Sequence, residues 1–421
     1  MARPMADLQP LLTLRYEPSV AGPLDDVIAP PYDVIDEELR ARLAERSPYN
    51  VVHVDLPPSY PEAATTLDDW RAQGALAQED EPAVWVLRQD YAAPDGERRT
   101  RTGVLARMRV DEYGPGRIRP HERTHPGPRE DRLRLTRATR TNLSPIFSLF
   151  PDRDRGAARA MEQIAATPPF ATASDLDGTE NTLWRSADED LVAELQMALA
   201  DAELLIADGH HRYETARVYA EEVGGEGPHQ YVLMLLCSLS DPGLLIFPTH
   251  RLLTGLKDDS DKQLAIRDAL MRDFEIEELG SANELEPPAS NGAVAFGYMD
   301  SFHRKPYRVT LKNQSIADEA LEGMPAPYRR LDTAVLEALV LKGALKMSED
   351  DISHLRGLDY SKDLADAIDA VETGRADCGF FMRATPVEQV REVAETGESM
   401  PPKSTYFYPK VPTGLVFNPL T

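Results

Sequence analysis

Hydrophobic positions along the chain come in short runs with two recurring periods. Leu204, Leu205, Ile206 and Ala207 are continuously apolar, as a strand buried on both faces requires. Tyr213, Ala216, Ala220 and Val223 follow at helical spacing, with Gly209 between the two patterns. The sequence predicts a strand, a tight turn and a helix there. Upstream, strand-like runs at 51–54 and 84–87 alternate with helical patterns at 37–46 and 60–76. Pro30 and Pro31 interrupt the apolar segment 27–34, which predicts a fixed extended loop. A polar stretch containing Pro and Thr, 166–188, reads as an insertion or connector. Downstream, strands are predicted at 243–247, 293–298, 307–311 and 378–382, and helices at 262–274, 332–345, 364–372 and 386–396. The alternation argues an α/β or α+β protein throughout.

Composition narrows this picture. The 421 residues are 42% hydrophobic and 28% charged, which describes a globular chain of two or three domains. Lys+Arg 46 against Asp+Glu 71 leaves a net charge of −25, so the surface repels a phosphodiester backbone and no nucleic-acid partner is expected. Cys237 and Cys378 form neither a disulfide framework nor a zinc signature, and a reducing, cytoplasmic setting is expected. No apolar stretch is long enough for a membrane helix, so no membrane partner is expected. The charge is unevenly spread. Residues 97–140 hold thirteen Arg and six acids, a local excess of +7. That excess suits a small anion, although ordinary surface ion pairs would also account for it. Lysine is scarce and absent before Lys257, which draws attention to Lys403 and Lys410.

Three stretches carry candidate chemistry. In Asp208-Gly209-His210-His211-Arg212 a glycine turns the chain into a helix start, where unpaired N–H groups and the positive dipole end attract an anion. Two imidazoles and a guanidinium add donors, while the plain reading makes Asp208 a helix cap and the histidines surface residues. Zinc held by His210, His211 and Glu214 is disfavoured, because adjacent helical residues point about 100° apart. In the second stretch, Arg117 to His125, Pro120, Pro126 and Pro128 predict a loop rather than a helix. Glu122, between His121 and Arg123, is the candidate general base, or else simply an ion-pair partner of Arg123. The third, Pro401-Pro402-Lys403-Ser404-Thr405, is a stiff loop with a point charge and hydroxyl donors suited to phosphate oxygens. Neither a Walker loop nor a dinucleotide-binding glycine motif occurs.

Taken in order, His121-Glu122, Asp208-Gly209-His210-His211-Arg212 and Pro402-Lys403-Ser404-Thr405 resemble the archaeal ADP-dependent free serine kinases of the ParB/sulfiredoxin-like superfamily. Over its full length the chain is similar to a bacterial family long catalogued as a domain of unknown function. That likeness rests on Ala29-Pro30-Pro31-Tyr32-Asp33-Val34, Pro120-His121-Glu122-Arg123-Thr124, Ala207-Asp208-Gly209-His210-His211-Arg212-Tyr213 and Tyr408-Pro409-Lys410. Members of that family are implicated as pyrophosphate-dependent serine kinases.

The resemblance implies a ParB/sulfiredoxin-like catalytic core at 106–260, preceded by an α/β unit at 1–105 and followed by an α/β domain at 261–421 that closes the active site. It implies that Glu122, aided by His121, deprotonates the serine hydroxyl, with Asp208 and His210 also at the reacting centre. Gly209, His210, His211 and Arg212 would form the phosphate loop, joined by Arg119 and Arg123, and Lys403, Ser404 and Thr405 a second contact. Tyr32, Asp33, Asn142 and Ser144 are candidates for the L-serine pocket. Mg²⁺ is expected, held mostly through pyrophosphate oxygens, and its protein ligands are unassigned. The competing expectations are ADP or ATP as donor, and a ParB-like nucleotide- or nucleic-acid-binding module, against which the net charge argues.

Overall fold

The computed structural model describes residues 6–93, 96–122, 126–289 and 292–421. They fall into two compact units. The first gathers the chain up to Pro120, the stretch that ends at Leu244, and the C-terminal segment Pro409–Thr421. The second comprises Leu245–Tyr408 together with His121 and Glu122.

The first unit is built on a nine-stranded mixed sheet among the described residues. In chain order its strands are β1 (Leu8–Gln9), β2 (Val84–Ala92), β3 (Arg98–Arg109), β4 (Ile118–Arg119), β5 (Ile146–Phe150), β6 (Ala171–Ser174), β7 (Glu180–Ser186), β8 (Leu204–Asp208) and β9 (Tyr231–Ser238). Across the sheet they run β4-β8-β5-β9-β3-β2-β7-β6, with β1 beside β3. The β4/β8 and β5/β9 pairs are parallel and the others antiparallel. Strand β3 runs unbroken through residue 105. Val84, Val104, Ile146, Ile206 and Met234 build the core with two amphipathic helices, α2 (Gly156–Ala165) and α3 (Glu189–Leu199), which follow α1 (Pro126–Thr139). Helix α2 buries Ala157, Ala160, Met161 and Ile164, one stripe at a spacing of three to four residues. Helix α3 starts where the Asp188 carboxylate accepts the N–H groups of Asp190 and Leu191.

The second unit is a six-stranded antiparallel sheet among the described residues, packed with helices. Its core stacks Phe274, Phe296 and Phe380 edge to face, with ring centroids 5.2 and 5.7 Å apart.

The mixed α/β architecture follows the alternation in the sequence, and several local expectations change. Residues 51–54 are not a strand: Val52–Asp55 is a helical turn, started by the Asn50 side chain accepting the Val52 N–H at 3.0 Å. The stretch 166–188 is not a mere connector, since β6 and β7 form a hairpin and β7 pairs along β2 from Glu180↔Asp90 to Ser186↔Val84. Leu183 and Trp184 are its buried anchors, and the Trp184 indole donates to the Thr167 carbonyl. Segment 27–34 ends one helical turn, Leu24–Val27, and forms another at Tyr32–Val34. The prolines after Pro120 do not exclude a helix, because α1 begins at Pro126, where a first-turn N–H needs no intrahelical partner. No helix among the described residues is long and apolar enough to cross a membrane.

Candidate functional site

The predicted strand, turn and helix at 204–223 form as β8, Gly209 and α4 (His210–Val223). Two independent facts require glycine at 209. Its φ of +96° lies in the left-handed region, and a Cβ there would stand 2.9 Å from Arg212 Nε and 3.0 Å from its Cζ. The Arg212 guanidinium folds back over the turn: Nη2 donates to Asp208 Oδ2 at 2.5 Å, and Nη1 to Ser144 Oγ at 2.6 Å and the Pro145 carbonyl at 2.5 Å. Lys410 completes the cluster from the C-terminal segment, its Nζ 2.5 Å from Asp208 Oδ1. Thr413 adds a hydroxyl contact to Ser144 at 3.0 Å.

These partners set the electrostatics. Burial alone would push the Asp208 carboxyl up, but the Lys410 ammonium and the Arg212 guanidinium outweigh it and hold the group well below the usual carboxylate range. Asp208 is therefore a fixed anion clamped by two cations. His210 is buried and His211 half-buried on the first turn of α4. Arg212 is the clamp of the turn, with both terminal nitrogens already engaged, so it does not offer the open bidentate fork expected from the sequence.

Beside the clamp lies a cavity of about 40 Å³, walled in part by Tyr32, Asp55, Arg132, Asn142, Ser144 and Arg212. Three of the four residues expected around an acceptor thus share one cavity, whereas Asp33 is exposed and does not line it. Arg132 is held 3.0 Å from Asp55, and its cation sits 4.3 Å over the Tyr32 ring. Burial raises the Tyr32 phenol to about 12, so it stays protonated at neutral pH.

In the second unit, His121 is fully buried, with Nε2 2.8 Å from Thr405 Oγ1 and 4.0 Å from Glu122 Oε1. The Met400 N–H donates to the His121 carbonyl at 2.7 Å, tying the 400–405 loop to the His-Glu pair. Ser404 is buried, donates to the Pro401 carbonyl at 2.7 Å and lies 3.0 Å from Thr333 Oγ1. Lys403 is exposed and left-handed, with φ +56°. Arg251, 3% exposed, donates to the Thr249 and Pro402 carbonyls and shares an electrostatic field with Glu122. Thus Glu122, His121, Arg251, Ser404 and Thr405 belong to one unit, and Asp208, Gly209, His210, His211, Arg212 and Lys410 to the other.

Several arginines of the 97–140 run have partners within the protein. Arg109 pairs with Glu226, Arg117 with Asp111, Arg134 with Glu130 and Arg137 with Glu222. Arg119, expected at the phosphate, is 8% exposed with Nε 3.0 Å from Glu203, so its charge is already balanced. Arg123 lies outside the described residues. Arg101, 1% exposed, stacks 4.3 Å over Phe147 and donates to the Pro409 carbonyl at 2.6 Å, joining the C-terminal segment to the sheet. Among the described residues, no three His, Cys, Asp or Glu side chains gather to hold a metal ion.

A family model described as "Protein of unknown function (DUF1015)" matches residues 8–334, well over half of the chain. The chain belongs to the DUF1015 family. No curated protein matches it. Among solved structures, the DUF1015 chain is similar to a conserved hypothetical protein from Pyrococcus furiosus, at 18% identity and a TM-score of 0.34 over 71% of this chain and 92% of that one. It is similar to a free serine kinase mutant in complex with AMP, at 15% and 0.37 over 71% and 89%. C-terminally truncated SbnI from Staphylococcus aureus aligns at 10% and 0.37 over 74% and 85%. At such identities the chemistry of this DUF1015 protein has to be read from its own residues.

Sequence reasoning missed Asp55 and Arg132, which pair across 77 positions, while Arg251 drew attention only weakly, in the stretch Phe247-Pro248-Thr249-His250-Arg251. Lys410 carried a signal, as one of few lysines and the end of the Tyr408-Pro409-Lys410 motif, but nothing local pointed it at Asp208.

Proposed function

We propose that this DUF1015 protein is a phosphotransferase that moves a phosphoryl group from pyrophosphate to the hydroxyl of L-serine, giving O-phospho-L-serine and phosphate. The observation that carries the reading is the Gly209 turn: a buried strand ends at a left-handed glycine, and a fourteen-residue helix opens with His210 and His211. Helix N–H groups and the positive dipole end there favour a compact polyanion. The motif resemblance supplies the reaction class.

In this reading Glu122 takes the proton of the serine hydroxyl, the oxygen bonds to one phosphorus, and the bridging oxygen of pyrophosphate leaves with the other as phosphate. The His121–Thr405 contact positions the Glu122 segment, and Ser404 and Thr405 order the loop that bears Lys403. Phosphoryl transfer asks mainly for in-line placement and charge neutralisation. Mg²⁺ would enter with the substrate, as the counter-ion of pyrophosphate.

The test is a donor screen: purified protein, L-serine and Mg²⁺ with pyrophosphate, ADP or ATP, followed by phosphorus NMR. O-phosphoserine with pyrophosphate alone is expected. Product only with a nucleotide removes the donor assignment, and no product with any donor removes the reaction class. Glu122→Gln should lower turnover by about 100-fold or more, and a loss of only a few-fold would exclude it as the base.

A further inference from the structure

The cavity beside Arg212 carries two buried polar atoms that nothing in the described protein satisfies. Asp55 is 4% exposed; its Oδ1 accepts from Arg132 Nη1 at 3.0 Å, while Oδ2 has no hydrogen-bond partner. Arg212 Nε is likewise buried and without a partner, although both terminal nitrogens are engaged. A buried acceptor or donor left unmade is costly, more so when charged, so two of them on residues that line one cavity call for an occupant. Arg132 cannot supply the missing contact. Its Nη1 is held by the Asp55 carboxylate and carbonyl, and its Nε and Nη2 by Asp131, at 2.6 to 3.0 Å. Burial pushes the Asp55 carboxyl up more strongly than the Arg132 and Arg212 guanidinium groups pull it down.

We propose that this cavity binds a small free amino acid, its α-ammonium on Asp55 Oδ2 and its α-carboxylate on Arg212 Nε. A zwitterion answers an unpaired carboxylate oxygen and an unpaired guanidinium N–H together, and leaves the buried charge balance unchanged. Size sets the class. At roughly 10 to 15 Å³ of such volume per water, 40 Å³ holds about three waters, which suits a side chain like that of serine and excludes aromatic amino acids and nucleotides. Arg212 then serves two partners, clamping Asp208 at the phosphate turn while presenting Nε to the amino acid. The assignment of serine as the ligand rests on the function proposed above; the ammonium and carboxylate contacts do not.

Calorimetric titration of the full-length protein tests it, with no phosphoryl donor present. L-Serine should bind, while 3-hydroxypropionate, which lacks the ammonium, and L-phenylalanine, which exceeds the cavity, should not. Asp55→Asn should weaken L-serine binding by about tenfold or more. Thr136→Leu, which fills the same cavity and leaves Asp55 in place, should do likewise and guards against a folding defect in the first variant, thermal melts reporting on both. Equal binding of L-serine and 3-hydroxypropionate, unchanged affinity in a folded Asp55→Asn protein, or no L-serine binding by the wild type would overturn the proposal. Binding as predicted but no turnover with pyrophosphate would remove the donor assignment and leave the cavity assignment standing. Turnover with unchanged L-serine affinity in Asp55→Asn would do the reverse.

Discussion

Replacing Lys410 by Met removes one of the two cations that clamp Asp208. The Lys410 and Asp208 side chains are each 14% exposed, the contact is 2.5 Å, and the other carboxylate oxygen stays on Arg212 Nη2. Two unit charges 4 Å apart attract by about 4 kcal/mol at an effective dielectric of 20. Removing one partner of a buried pair costs about 3 to 5 kcal/mol. Because Arg212 remains, we expect less than this, about 2 to 3 kcal/mol, which lowers the melting temperature of a unit this size by about 5 to 10 °C. Lys262→Met is the control. Its pair with Asp259 is exposed on both sides, 49% and 37%, and its loss should cost under about 1 kcal/mol. The change also carries a signed pH signature. The folded Asp208 carboxyl is depressed, so its stabilisation is fully present above the unfolded value of about 3.9 and is lost as pH falls through the folded value. With Lys410 gone, burial is opposed by Arg212 and His210, the folded value rises, and the acid unfolding midpoint moves to higher pH. Denaturant unfolding from pH 7 to pH 3 measures both effects. A Lys410→Met protein within about 0.5 kcal/mol of wild type and with an unmoved acid limb would refute the clamp.

Gly209→Ala meets both the left-handed backbone and the Arg212 guanidinium, whereas Gly74, at φ +76°, has nothing within 4 Å of the place a Cβ would take. Gly74→Ala should cost about 1 to 2 kcal/mol and Gly209→Ala measurably more; equal losses in denaturant unfolding would remove the steric argument. His250 is fully buried, and its Nδ1 accepts the Met382 N–H at 3.1 Å. Burial, helped by Arg251, lowers its imidazole from 6.5 to about 4. The unfolded chain therefore takes up a proton first as pH falls from about 6.5 to about 4, and stability should drop by about 3 kcal/mol over that window. His250→Asn, whose amide oxygen can accept the same N–H, should flatten that limb of the stability profile. Arg101→Met should loosen the C-terminal segment by removing the bond to the Pro409 carbonyl, read as faster amide exchange across 410–420. Exchange unchanged from wild type would assign the anchoring to Lys410 instead.

Local patterns carried far, because period and turn chemistry are properties of adjacent residues. The helix predicted at 37–46 forms as Glu37–Arg46, capped by the Asp36 carboxylate on the Leu39 N–H, and the one after Gly209 forms as His210–Val223. The same locality explains the failures. Residues 51–54 carry β-branched valines, yet Asn50 and the burial of Val52 and Val54 turn them into a helical turn. The 171–186 hairpin looked like a polar connector because the strand it needs, Val84–Ala92, lies far earlier in the chain.

By itself the sequence determined the α/β class, the strand-glycine-helix turn at 204–223, the acidic surface, and the shortlist from which any site has to be drawn. The tertiary structure decided which members of that shortlist remain open. It engaged Arg109, Arg117, Arg119, Arg132, Arg134 and Arg137 of the 97–140 run in ion pairs, and brought Lys410 onto Asp208 from 202 positions away. It also set Asp55 and Arg132, 77 positions apart, on the wall of one small cavity. The reason is physical. A backbone period is set by neighbours, whereas the worth of a charge depends on the solvent it loses and the counter-charge it meets, and both are set by chain folding back from a distance.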